Sequence, residues 1–202
     1  AIAVSLSIMG LSGFTANSNS EYEVRIFNYG TSGSPVLRIT DVNGGTLIEE
    51  FNFGETTILA GTTSTSDQKK GVQFTVPQDC IIQSITFYHD DPSVSGDILV
   101  AVYDNTADEP INRLAVSAAT AMAEVGSAWQ TIPLITPVAV SLNDVIWLCW
   151  NSDEVITFNY ESAKGDLRVT GGTAGFALPD PFGSVGSTAD LTYSIYCTAI
   201  PN

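Results

Sequence analysis

LTYSIYCTAI, Leu191 to Ile200, alternates along its whole length. Leu191, Tyr193, Ile195, Cys197 and Ala199 fall on one side, and Thr192, Ser194, Tyr196 and Thr198 on the other. A period of two is the signature of a strand with one buried face, because successive side chains of extended backbone point to opposite sides. Working back from this run, strands of the same kind recur at short intervals: DLRVT (166–170), VITFNYES (155–162), DVIWLCWN (144–151), WQTIPL (129–134), GDILVAVYD (96–104), CIIQSITFYHD (80–90) and GVQFTVP (71–77). Gly, Pro, Asn and Asp punctuate them. Many short strands with turn residues between them predict an all-β fold, an antiparallel β-sandwich. RLAVSAATAMAEV (113–125) is Ala-rich and has helical propensity, but the strand spacing around it favours an extended reading.

Upstream, GETTILAGTTSTSDQKKG (54–71) reads as a loop or linker, and a domain boundary is placed near residue 62. The division is 1–61, a small N-terminal strand and hairpin region, and 62–202, the sandwich. YEVRIFNY (22–29) and PVLRITDV (35–42) precede Asn43-Gly44-Gly45 and TLIEEF. Asn-Gly between strand runs marks a hairpin over 36–51, since its central residues must tolerate positive φ. The chain opens on AIAVSLSI, where Ile2, Val4, Leu6 and Ile8 alternate with small residues. This first strand needs an edge to pair with, in its own hairpin region or in a neighbouring copy, and those four residues are the candidate assembly contacts.

Hydrophobic residues make up 44% of the 202 and charged residues 14%. That composition excludes a disordered chain and is enough for a real core. Asp and Glu number 22 against 7 Lys plus Arg, a net charge of −15. Such a surface repels phosphate backbones and anionic headgroups, so neither a nucleic-acid partner nor a membrane surface is expected. No apolar run approaches the ~20 residues of a membrane helix. AIAVSLSIMGLSGF lacks the basic flank of an intact signal peptide. Two origins for Ala1 stay open, removal of a signal peptide or of an initiator Met. Cys80, Cys149 and Cys197 have no metal or CxxC spacing and sit in apolar runs. They read as buried thiols, with one disulfide and a leftover thiol as the alternative.

The order GVQFTVP…CIIQSITFY, DILVAVYD, LAVS, WQTIPL…PVAVSLNDVIWLCW, the loop Pro179-Asp-Pro-Phe-Gly183 and YSIYCTA resembles jelly-roll β-sandwich modules. These are accessory domains of secreted bacterial proteins and of phage or metagenomic surface proteins. The resemblance covers residues 71–202 and implies a jelly-roll-like sandwich with a carbohydrate-binding, adhesive or structural role. It implies display on an extracellular or virion surface.

Catalytic signatures are sparse. His89, in FYHDDP, is the one histidine and reads as a solvated strand end. No GxSxG elbow, P-loop or GxGxxG is present, and nothing singles out a carboxylate pair among the acids. The expectation is a chain that is not an enzyme. Asp104, Asn105, Asp108 and Glu109 crowd YDNTADEP. Hard oxygen ligands at that density point to Ca²⁺, although the spacing is not that of an EF-hand; an acidic turn is the plainer reading. No other cofactor is expected.

Aromatic rings are the candidates for stacking on a sugar: Trp129 at the start of WQTIPL, Trp150 in VIWLCW and Phe182 in its Pro-Gly loop. Trp147 and Trp150 lie on opposite faces of their strand, so at least one belongs to the core. The leading expectation is a structural or adhesive building block that assembles with copies of itself or neighbouring subunits. A carbohydrate-binding module is the alternative.

Overall fold

The computed structural model describes residues 49–65, 67–89, 96–122, 127–173 and 175–202. The hairpin expected over 36–51, apart from residues 49–51, and the assembly candidates Ile2, Val4, Leu6 and Ile8 lie outside these residues. The described body runs from Glu49 to Asn202 and is all-β, two antiparallel sheets packed as a sandwich.

Its strands are β1 (Phe51–Gly54), β2 (Gly61–Thr65), β3 (Gln68–Thr75), β4 (Cys80–His89), β5 (Asp97–Thr106), β6 (Glu109–Val116), β7 (Thr120–Ala121), β8 (Ala128–Val140), β9 (Val145–Ser152), β10 (Ile156–Thr173), β11 (Val185–Tyr193) and β12 (Ile195–Pro201). One sheet runs β1-β12-β4-β8; the other runs β6-β5-β9-β3-β10, with β7 also on β5 and both β2 and β11 on β10. The Ala-rich 113–125 segment contributes β6 and β7, so strand context overrides its helix propensity.

VITFNYES and DLRVT, expected as two strands, are one. β10 spans 18 residues. Its first residues pair with β2 and meet β4 at Phe158 opposite His89, while Arg168, Val169 and Thr170 pair with β3. The turn signal Ala-Lys-Gly between them is absorbed as an irregularity between Ser162 and Leu167 in the ladder with β11, with Ala163 at φ 60°. A bulge of this kind sharpens the local twist and lets one strand serve both sheets.

The boundary near residue 62 also shifts. Phe51 and Phe53 pair with Ala199 and Cys197 of β12, and Phe53 is buried in the core. The sandwich therefore begins before the Thr/Ser-rich stretch, and part of that stretch is itself β2.

The alternation of LTYSIYCTAI holds: Leu191, Tyr193, Ile195, Cys197 and Ala199 all pack on the main core. The run is nevertheless two strands, broken at Ser194. The Ser194 hydroxyl accepts from the Leu59 amide at 3.0 Å. Its amide donates to Asn159 O and its carbonyl accepts from the Tyr88 amide. A serine at the break gives the backbone side-chain chemistry an apolar residue lacks.

The core lies between Ile85 and Phe87 of β4, Val100 and Val102 of β5, and Leu148 and Trp150 of β9. Trp150 is at its centre, with ring centroids 4.8 Å from Phe87 and 4.7 Å from Phe158. A second cluster lies on the far side of β5 and β9, where Ala101, Tyr103, Trp147 and Cys149 are covered by Leu178 and Phe182. β9 is thus buried on both faces, which is why VIWLCW shows no polar alternation. Cys80, Cys149 and Cys197 are all buried free thiols.

Candidate functional site

Trp129 is directly opposite Tyr88 in the β4–β8 ladder. Ile85 and Phe87 face the core, so Thr86 and Tyr88 face outward, and Trp129 with them. On the other flank of β4, Tyr196 pairs with Thr86 and shares that outer face. The three rings form a row: Trp129 and Tyr88 meet edge-on at 5.3 Å, and Trp129 and Tyr196 are tilted at 5.2 Å. Trp129 and Tyr196 are half-buried, whereas Tyr88 is buried beneath them. Tyr88 thus props the indole, and cross-strand aromatic packing of this kind fixes ring orientation.

Hydroxyls extend the face. The exposed Thr131 hydroxyl is anchored by the buried Thr86 hydroxyl at 2.9 Å, and Thr198 donates to Asn52 at 2.9 Å. Rings bordered by hydroxyl and amide groups present both an apolar plane and directional polar contacts, the combination a saccharide requires.

Of the predicted ring candidates, only Trp129 is placed to touch a ligand. Trp150 is fully buried at the core centre, because its face of β9 looks into the sandwich. Phe182 is fully buried as well, standing edge-on to Tyr103 at 5.1 Å. Its loop is not a free surface loop but a strap tied across β5 and β9. Asn151 donates to Gly175 O and Ala177 O, Tyr103 to Pro179 O, Arg113 to Leu178 O and Lys69 to Phe182 O. Sequence reading missed Tyr88 and Tyr196. The signal was there, since both lie on polar faces of alternating strands, but the pairing of β4 with β8 and β12 is needed to see them meet.

Lys69 is 5% exposed, with its ammonium 4.4 Å from the Phe182 ring centroid. Burial lowers its pKa, and the neighbouring Cys149 works the other way. Burial pushes the Cys149 thiol well up, more than Lys69 pulls it down. His89 is 1% exposed, not a solvated strand end. Its Nε2 sits 2.9 Å from Gln130 Oε1, because β4 continues under β8 to its last residue.

The candidate calcium loop is internally occupied. Asp104 accepts from the amide and the side chain of Asn112, both at 2.7 Å. Asn105 Oδ1 accepts from Trp147 Nε1 at 2.9 Å and from Gln73 at 3.2 Å. Gln73 also reaches Asp108 Oδ1 at 3.2 Å, and Glu109 is exposed. Asn105 and Asp108 come together on Gln73, while Asp104 turns to Asn112. Among the described residues no group of three or more His, Cys, Asp or Glu gathers as a metal cluster, and no helix is long and apolar enough to cross a membrane.

No protein-family model matches the chain, and no curated protein matches it. Among solved structures, the clostridial cysteine protease Cwp84 after propeptide cleavage is similar over 76% of this chain and 40% of that one, at 15% identity and a TM-score of 0.49. The chain thus spans well under half of that protein. The expectation that the chain is not an enzyme is corrected on this finding: a solved structure of similar course is an enzyme, and absence of activity is not kept as a statement about this chain. At that identity and TM-score the likeness carries no argument for protease chemistry here.

Proposed function

We propose that the chain is an adhesive building block of an extracellular or virion surface, and that it holds carbohydrate on the outer face of the β1-β12-β4-β8 sheet. The observation that carries this reading is the ring row of Trp129, Tyr88 and Tyr196 bordered by Thr131, Thr198 and Asn52. Trp129 supplies the stacking plane, Tyr88 sets its tilt, and the hydroxyl rows supply orientation. Trp129→Ala removes the plane without opening the core. Retention on polysaccharide affinity gels should fall by about tenfold or more, the loss expected of a central aromatic anchor, while the urea midpoint moves little. If retention is unchanged, or if no polysaccharide retains the parent chain, the reading is wrong.

A second reading is assembly with copies of the chain or neighbouring subunits. It is supported by the position of β1 at the end of the strand order among the described residues. An edge strand offers backbone groups to an added strand, and the alternating Ile2, Val4, Leu6 and Ile8 have the pattern of one. Deleting residues 1–12 should reduce assemblies to single chains in light scattering while the sandwich stays folded; assemblies of the original size would count against it.

A further inference from the structure

The charge of the molecule is sorted between its two sheets. FNFG, IYCTAIP, CIIQSITFYH and AWQTIPLITPVAV, the four strands of the β1-β12-β4-β8 sheet, hold no Asp, Glu, Lys or Arg. The His89 of β4 is buried. In the other sheet β3, β5, β6, β10 and β11 each hold at least one charged residue. Core positions are apolar in any sandwich, so the outer positions are the informative ones. A solvated sheet face ordinarily alternates polar and charged side chains against the apolar inner ones. Here the outer face presents Trp129, Tyr196 and Thr198, half-buried, with Asn52 and Thr131 exposed. β1 and β8 end this sheet among the described residues. Lysines commonly guard such edges, and these two strands have none.

An uncharged face on a chain of net charge −15 selects its ligand by what it lacks. A carboxylate laid on it would lose hydration and meet no cation, at a cost of several kcal/mol if fully buried. The net charge of the molecule repels the same group from a distance. An ammonium is drawn by that net charge, but salt removes the attraction, and no strand of the face offers a carboxylate to receive it. Hydroxyls lose least, because Thr131, Thr198 and Asn52 replace water as donors and acceptors. The rim keeps this character at β1. Glu55, next after Gly54, is turned onto its own loop, where it accepts from the Thr57 amide at 2.9 Å. Gly54 leaves the ground beside Tyr196 open: its φ is +117°, and a Cβ there would lie 2.8 Å from the Tyr196 Cα. From β8 to β1 the face is three strand intervals wide, about 14 Å at ~4.8 Å each, so it meets several linked sugars and encloses none.

We infer that the ligand of this face is an uncharged polysaccharide, held through its hydroxyls and the C–H faces of its rings and by no ionic contact. The inference rests on the reading of this face as a carbohydrate site. The test is affinity electrophoresis of the full chain through gels holding hydroxyethylcellulose, galactomannan, xylan or dextran, and through carboxymethyl and diethylaminoethyl derivatives of cellulose and dextran. At least one neutral polymer should retain the chain, more strongly than any charged derivative, and equally at about 0.05 and 0.5 M NaCl. Thr131→Lys puts a cation beside Trp129 at an exposed position. It should weaken retention on the neutral polymer and raise retention on the carboxymethyl derivatives several-fold, with an unchanged urea midpoint. Stronger retention by a charged derivative, or retention that salt abolishes, would overturn this inference and leave the carbohydrate reading standing. Retention by no polymer of any charge would overturn both. A dimer in light scattering that Thr131→Lys splits would show that a second copy covers the face, and would overturn the assignment as well.

Discussion

Ser194 carries more of the fold than its size suggests. It stands where the final alternating run breaks, and its three polar groups tie β10, β4 and the segment before β2 to that break. Ser194→Ala leaves the Leu59 amide without its acceptor inside the protein. An unmet buried amide costs about 1–3 kcal/mol, and equilibrium urea unfolding should show a lower midpoint with an unchanged slope. A loss under about 0.5 kcal/mol, the size typical of neutral surface changes, would mean that water reaches the amide. The sequence makes the alternation of this run legible and hides the break, because Ser194 sits in phase with its polar neighbours. Trp129 is legible as a candidate ring for the same reason that Trp150 and Phe182 mislead. A ring's residue type is visible in sequence, but the face it lands on depends on which strand covers it.

At the scale of elements, the strands are legible wherever one face is solvated and obscure where it is not. β12 alternates, with its start at Ile195 hidden inside the longer run, and β4 alternates in its first half and is found close to its ends; β5 is found from its flanks although both its faces are buried. β9 is buried on both sides, so its run is continuous, and its flanking turn residues are the only guide. β10 misleads in another way. Ala163-Lys164-Gly165 has the composition of a turn, but the backbone carries the strand through it with one left-handed residue, Ala163. The 175–184 strap is a third case. Its Pro, Gly and Asp content reads correctly as loop, yet nothing local reveals that five carbonyls are taken up by Asn151, Tyr103, Arg113 and Lys69. These contacts join residues far apart in the chain, and long-range pairing is what a local pattern cannot carry.

Over the whole molecule, the three buried thiols set a response to alkali. Folding keeps Cys149 and Cys197 neutral, both pushed well above the ordinary 9.0 chiefly by burial. Above that value the unfolded chain releases protons that the folded chain retains. Stability therefore falls as pH rises, by about 1.4 kcal/mol per pH unit for each such thiol, and the contribution is flat below it. Lys69 has the opposite sign. Its pKa is lowered, so its contribution rises with pH up to the ordinary 10.5. Comparing the parent with Cys149→Ala isolates the thiol: across pH 9 to 10.5 the variant should lose stability less steeply, by roughly 1 kcal/mol per unit, in urea unfolding curves. Parallel curves would show that the thiol ionises in the folded state. One further consequence follows from β1 lying antiparallel on β12, with Phe51 opposite Ala199 and Gly54 opposite Tyr196. The chain enters and leaves the sandwich at the same end of that ladder. Tension applied between residues 49 and 202 peels its backbone bonds apart one after another instead of shearing them together, so under load the edge strand opens first and lengthens the tether before the body yields.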